Sequence, residues 1–207
     1  MTSTFMRPAI ALALVLSLAG CGGKASFPIS GTIIGLSNPG LVLSTNGMDL
    51  PVAATATSFV FPNSLSYGDV YDVVAKAQPA HQTCTVGAIS NPSGGQFNGA
   101  SDTAGRLGAI NIGVGCALNT QTVGGTIAGL TSLGLQLTNG STGGTIAPVA
   151  GATAFTLPNQ VAFGVSYGVT VLAQPANDVC TVAANGTGVM GDNAIADIAV
   201  TCVPKPT

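Results

Sequence analysis

The chain has 207 residues, a formal net charge of −2 and 46 % apolar residues, but only 6 % charged ones, against a usual share of about a quarter. So apolar a chain folds rather than staying disordered, and its five Lys and Arg side chains are too few to neutralise a phosphate backbone, which excludes nucleic acid as a partner. Tryptophan and glutamate are both absent, so Thr, Ser, Asn and Gly must supply most of the polar surface.

At the N-terminus, Arg7 precedes an apolar run over residues 9–19 that carries no charge and is broken only by Ser17. The run is shorter than the roughly 20 residues that span a bilayer and suits the apolar segment of a signal peptide. Leu18-Ala19-Gly20-Cys21 closes it. Charge, apolar run, small residues and cysteine in this order resemble the lipobox of bacterial lipoproteins. The resemblance implies that residues 1–20 are removed and that Cys21 becomes the first mature residue, carrying thioether-linked diacylglycerol and an N-acyl chain. One acyl chain holds a protein only marginally, whereas two or three anchor it firmly without a spanning helix. The family retains its members at the inner membrane through an aspartate after the cysteine. Gly22 stands there instead, which implies the outer membrane of the cell envelope. The membrane, reached through lipid on Cys21, is thus the expected partner; an envelope or extracellular protein partner is compatible with the sequence but not named by it. Residues 21–28 read as a short tether.

From there the pattern is β throughout. Strands are predicted at 32–36 and 41–44, then a turn at Asn46-Gly47, then strands at 48–53 and 59–61, the last ended by Pro62. Asn-Gly is the strongest short hairpin signal, and proline cannot donate to a ladder. A strand over 70–77 follows, with Tyr71, Val73, Ala75 and Ala77 on one face and Asp72 and Lys76 on the other. Strands at 83–87 and 109–115 carry or lead into Cys84 and Cys116. The same series then recurs at 126–130, 133–138, 145–150, 155–157, 169–173, 179–183 and 195–201, with Asn139-Gly140 and Pro158 at the equivalent punctuation points. Seven short strands with regular turns indicate a sandwich. The fold class expected is therefore all-β, two tandem seven-stranded sandwiches, with units at 29–117 and 118–203, a tail at 204–207, and a short join over 117–123 that stacks the units end to end.

The recurrence is explicit in the residues. Residues 59–86 and 155–182 align without gaps and are identical at 13 of 28 positions, including most of Ala-Gln-Pro-Ala and Cys-Thr-Val. Units this long are a tandem pair rather than a short-period solenoid. Of the five cysteines, one falls at the lipobox and one pair in each unit. Four cysteines permit three connectivities. Only Cys84–Cys116 with Cys180–Cys202 keeps each bridge inside its own unit, and oxidising export suits such bridges. No CxxC spacing occurs and His81 is the only histidine, so neither a metal nor a cofactor is expected.

The pattern GTxxGL, then F-x-F/L-P, then G-x-x-Y-x-V resembles bacterial Ig-like modules and carboxypeptidase-regulatory or collagen-adhesin B-type modules. These are sandwiches of prealbumin-like type that serve as stalks and spacers in surface proteins. Some adhesin modules carry a Lys–Asn isopeptide. Lys76 aligns with Leu172 and the second unit has no lysine before its tail, so that cross-link is not carried over.

Little in the chain suggests catalysis. A Ser–His–Asp hydrolase needs a histidine base, and His81, aligned with Asn177, reads as a solvated turn residue. The seven aspartates are scattered. A calcium site at Asp192, Asn193 and Asp197 would lack a recognisable loop spacing. The segment 90–108 is ten residues longer than its counterpart and rich in Gly, Ser, Asn and Pro. It reads as a mobile surface loop, either a neutral variation in length, which a surface loop tolerates, or a binding loop with Phe97 and Arg106 as its contact residues. The expected function is a non-catalytic structural or interaction module at the envelope. The alternatives are an adhesin or ligand-binding module acting through the 90–108 loop and, third, a small periplasmic hydrolase or inhibitor.

Overall fold

A computed structural model of the chain describes residues 24–87, 97–140 and 144–206. Cys21 and the apolar run before it lie outside the described residues. Among those described, every regular element is a strand apart from one 3-10 turn at Ala184–Gly186, and no helix is long and apolar enough to cross a membrane.

The first repeat is built on β1 (Ile29–Ile34), β2 (Val42–Thr45), β3 (Met48–Pro51), β4 (Ser58–Val60), β5 (Val74–Ala77), β6 (Gln82–Val86) and β7 (Ile110–Leu118). The second is built on β8 (Val123–Ala128), β9 (Gln136–Asn139), β10 (Thr145–Ile146), β11 (Ala154–Thr156), β12 (Ser166–Ala173), β13 (Asp178–Val182) and β14 (Ile195–Pro204). One sheet of the first repeat runs in the order β4-β1-β7-β6 and the other β3-β2-β5. The second repeat reproduces both orders, as β11-β8-β14-β13 and β10-β9-β12. Even the irregularities match. A register shift falls between Val42 and Leu43 in β2 and between Gln136 and Leu137 in β9.

Strand alternation explains the layers. In β1, Ile29, Gly31 and Ile33 point inward, and β7 presents Ile110, Ile112 and Val114 beside them. Each repeat has its own apolar cluster. Ile29, Ile33, Leu43, Phe59, Tyr71, Val73, Ile112 and Val114 belong to the first, and Val123, Ile127, Leu137, Phe155, Val169, Met190, Ile198 and Val200 to the second. Burying a side chain of this size contributes about 1.5–3 kcal/mol, so each cluster is a modest core of the kind that benefits from a covalent staple.

The first and last strands of each repeat pair in parallel, Ile33 opposite Val114 and Ile127 opposite Val200. This closes each unit on itself. It also accounts for the Gly-Thr dipeptide near the start of both. A Cβ on Gly31 would lie 2.0 Å from the carbonyl oxygen of Ile112 and 2.4 Å from the Phe59 ring, and one on Gly125 would lie 1.8 Å from that of Ile198. No side chain fits between these strands.

Three expectations need correction. The strand expected over 70–77 is divided at Val73: Val70–Asp72 pairs with Ser101–Thr103, and β5 pairs with β2. The 90–108 segment is consequently not a free loop where it is described. Ser101–Thr103 adds a strand, Ala104 is buried, and Thr187–Val189 does the same against β12 in the second repeat. The join is strand rather than loop, because β7 continues to Leu118 and Thr120–Gln121 pairs with Val161–Ala162.

Candidate functional site

Cys84 lies directly opposite Cys116 across β6 and β7, and Cys180 opposite Cys202 across β13 and β14. The opposed Cα atoms are 4.0 and 3.9 Å apart, and both pairs are bridged. Opposed residues approach this closely only where they exchange no ladder hydrogen bonds. Each first cysteine therefore turns its own N–H and C=O off the edge of the sheet. The glutamine of Ala-Gln-Pro-Ala takes both. Cys84 N–H donates to Gln78 Oε1 at 2.7 Å, and Gln78 Nε2 donates to the Cys84 carbonyl at 3.1 Å. Gln174 repeats the pair on Cys180 at 2.7 and 2.9 Å. A side-chain amide thus stands in for a neighbouring strand and blunts an edge that would otherwise template one. That is why glutamine and cysteine recur together in the two decapeptides.

Two residues before each of these cysteines, a buried polar side chain organises the turn after the first strand. Gln82 accepts from the Ser37 and Asn38 N–H groups at 2.9 and 2.8 Å and donates to the Gly35 carbonyl at 2.8 Å. The second repeat uses Asp178, 1 % exposed. Its carboxylate accepts from the Ser132 and Thr131 hydroxyls, both at 2.7 Å, and from their N–H groups at 2.9 and 3.0 Å. The Ser132 and Thr131 hydroxyls, with those N–H groups behind them, outweigh desolvation and pull its pKa down to about 2. Sequence reasoning passed over both positions, although a Gln and an Asp at one aligned site inside a strand were the available signal.

The inter-cysteine arm of the first repeat holds the two residues expected to make contacts. Phe97 is half-buried beside Asn98, whose N–H donates to the Asn111 carbonyl at 2.7 Å and which bridges to Ile112. Arg106 is exposed and donates to Asp102 Oδ1 at 3.0 Å. The Thr103 N–H, first, and the Arg106 guanidinium hold the Asp102 carboxyl below its ordinary range. Tyr71, opposite Asp102 in the ladder, is pushed up by burial and then by that negative charge. Phe97 and Arg106 are held by separate anchors. A surface groove of ≈ 320 Å³ lies nearby, lined by residues including Asp72, Val74, Gln78, Cys84, Val86 and Ala100. Small side chains dominate it, without the convergent polar groups of a built ligand site.

His81 is not the solvated turn residue expected. Its ring stacks on Phe163 with centroids 3.7 Å apart and planes 5° from parallel, and its Nδ1 is 2.7 Å from Asp192 Oδ1. No hydroxyl or thiol among the described residues hydrogen-bonds to the ring. A hydrolytic triad needs such a nucleophile. Asp192, named above in a candidate calcium loop, is engaged by His81, and the described residues contain no cluster of three or more metal-ligating side chains. Lys76 pairs with Asp49 across exposed surface, which favours the ionised form of Asp49.

No family model matches the chain, and no curated protein does. Among solved structures, the major pilin protein (T3.2) from Streptococcus pyogenes serotype GAS13637 aligns over 88 % of this chain and 98 % of its own, at 12 % identity and a TM-score of 0.30. The T-13 major pilin protein from serotype GAS131465 of the same species aligns over the same shares at 12 % identity and a TM-score of 0.28. Scores this low carry no argument about fold or function. The all-β fold rests on the strands themselves.

Proposed function

We propose that this protein is a lipid-anchored, non-catalytic spacer of the cell envelope: two disulfide-stapled sandwich units held off the outer membrane by acyl chains on Cys21. The observation that carries the reading is the cysteine count. Five cysteines are present and four are consumed by the two bridges, which leaves Cys21, placed directly after Leu18-Ala19-Gly20 at the end of the apolar run. The buried polar side chains support the non-catalytic half of the reading. Gln82 and Asp178 are spent on holding turns, and no buried side-chain donor or acceptor among the described residues lacks a partner. Expressing wild type and Cys21→Ser in a bacterial host with labelled palmitate tests it. Wild type is expected in the membrane fraction with label, and Cys21→Ser in the soluble fraction without it. An unlabelled wild type, or a variant retained as well as wild type, contradicts the anchor.

A second reading is favoured by one observation. Tyr67, Arg106 and Leu107 are all exposed on or beside the inter-cysteine arm, as a binding surface requires. Because Ser101–Thr103 belongs to the sheet, the test is point substitution of Phe97, Arg106 and Leu107 rather than deletion. Unchanged surface binding by whole cells counts against this reading. The hydrolase or inhibitor alternative stands third, and His81→Ala with any detected activity intact removes it.

A further inference from the structure

We propose that the contact of His81 with Phe163 and Asp192 is an inter-repeat lock that sets the two units at one fixed angle, and that the chain carries this lock at its internal junction alone. The inference is independent of the lipid anchor.

The junction is dense. Asn119 is the one residue between the end of β7 and the Thr120–Gln121 strand, and it is held on three sides. Its N–H donates to the His81 carbonyl at 2.9 Å, its carbonyl accepts from Phe163 N–H at 2.9 Å, and its Oδ1 accepts from the Thr83 hydroxyl at 2.7 Å. Gln121 donates to the Asp192 carbonyl at 2.7 Å, and the Thr120 hydroxyl bonds Gln160. His81 itself sits at φ +59. This left-handed conformation, uncommon for a non-glycine residue, turns its ring onto Phe163.

Internal duplication supplies the control. The hydrogen bond from Asn119 N–H to the His81 carbonyl recurs as Lys205 N–H to the Asn177 carbonyl at 2.8 Å. The same backbone bond is thus made at the far end of the second unit, but Asn177 does not share the left-handed φ of His81, and a short amide replaces the imidazole. At the near end of the first unit, Tyr67 aligns with Phe163. The bond from Gly164 N–H to the Met190 carbonyl recurs as Gly68 N–H to the Ala104 carbonyl at 3.0 Å. Asp192, two residues past Met190, therefore corresponds to Arg106, two past Ala104. Tyr67 is 75 % exposed, and Arg106 is turned to Asp102. One terminal pole lacks the ring and the other has the opposite charge. Among the described residues, stack and carboxylate meet only where unit one meets unit two.

The test uses the mature chain with both disulfides formed, measured by residual dipolar couplings in a weakly aligned sample. Wild type is expected to fit one alignment tensor across both repeats. His81→Asn and Asp192→Arg, which install the residues found at the equivalent positions of the other repeat, are expected to lose the shared tensor while each unit keeps its melting temperature and its bridge. His81→Phe, which keeps the stack and drops the Asp192 bond, is expected to fall between them. Two tensors in wild type, or a shared tensor retained in the His81→Asn, Asp192→Arg double variant, overturns the lock. Asp192 is exposed, so its single variant folds even if one at His81 does not.

Discussion

Gln78 and Gln174 set the terms on which the edge strands β6 and β13 meet water. Truncating Gln174 to Ala removes two hydrogen bonds from Cys180 but leaves its backbone groups at an edge that solvent reaches. The cost expected is therefore about 1 kcal/mol in denaturant unfolding, with the Cys180–Cys202 bridge intact. Asp178 differs because its carboxylate is buried against four donors. With a folded pKa of about 2 against roughly 3.9 in an unfolded chain, its contribution is complete above the unfolded value and disappears as pH falls toward the folded one. Asp178→Asn is expected to melt below wild type at pH 7, with the gap closing between about pH 4 and 2. A gap that is constant over that window shows that the carboxylate charge is not what the turn uses. Gln82 fills the same position without ionising, so Gln82→Ala should destabilise by an amount that acid does not change. Of these four residues, the sequence marked Gln78 and Gln174 by repetition alone. The geometry of an amide spanning a cysteine's N–H and C=O has no signature in one strand's pattern, because donor and acceptor are six residues apart in the chain.

Among the elements, the strands were legible because their causes are local. Period-two alternation located most of them to within a few residues, and prolines and glycines ended them. Pairing was less legible. The parallel contact of β1 with β7 joins residues some eighty apart in the chain, and the only trace of it was the glycine in Ser-Gly-Thr and Gly-Gly-Thr. Gly125→Ala tests that account. A Cβ would meet the Ile198 carbonyl, backbone that cannot step aside, so the second repeat should lose at least about 3 kcal/mol or fail to fold. An alanine variant as stable as wild type contradicts the close approach. The staples act by a different mechanism. Replacing Cys180 and Cys202 together by Ser reopens a loop of 22 residues and is expected to cost about 3 kcal/mol. The strand at Ser101–Thr103 was missed because Gly, Ser and Asn dominate its neighbourhood, and its partner, Val70–Asp72, was read as one strand with β5.

At the scale of the whole molecule, duplication was the clearest message and the junction the least clear. Alignment of the repeats showed His81 as a variable turn residue opposite Asn177, which is what an unused position looks like. Only the fold brings Phe163 and Asp192, some eighty and one hundred and ten residues away, onto its ring. The proposal that unites the levels is a pair of stapled units fixed to a lipid surface through Cys21. One measurement addresses it most directly: the intact mass and non-reducing peptide map of the protein extracted from the membrane of its own cells. The account predicts a chain that begins at Cys21, carries diacylglycerol and an N-acyl group there, and yields the peptide pairs Cys84–Cys116 and Cys180–Cys202. A chain that begins elsewhere without lipid, or peptides that link one repeat to the other, would contradict it.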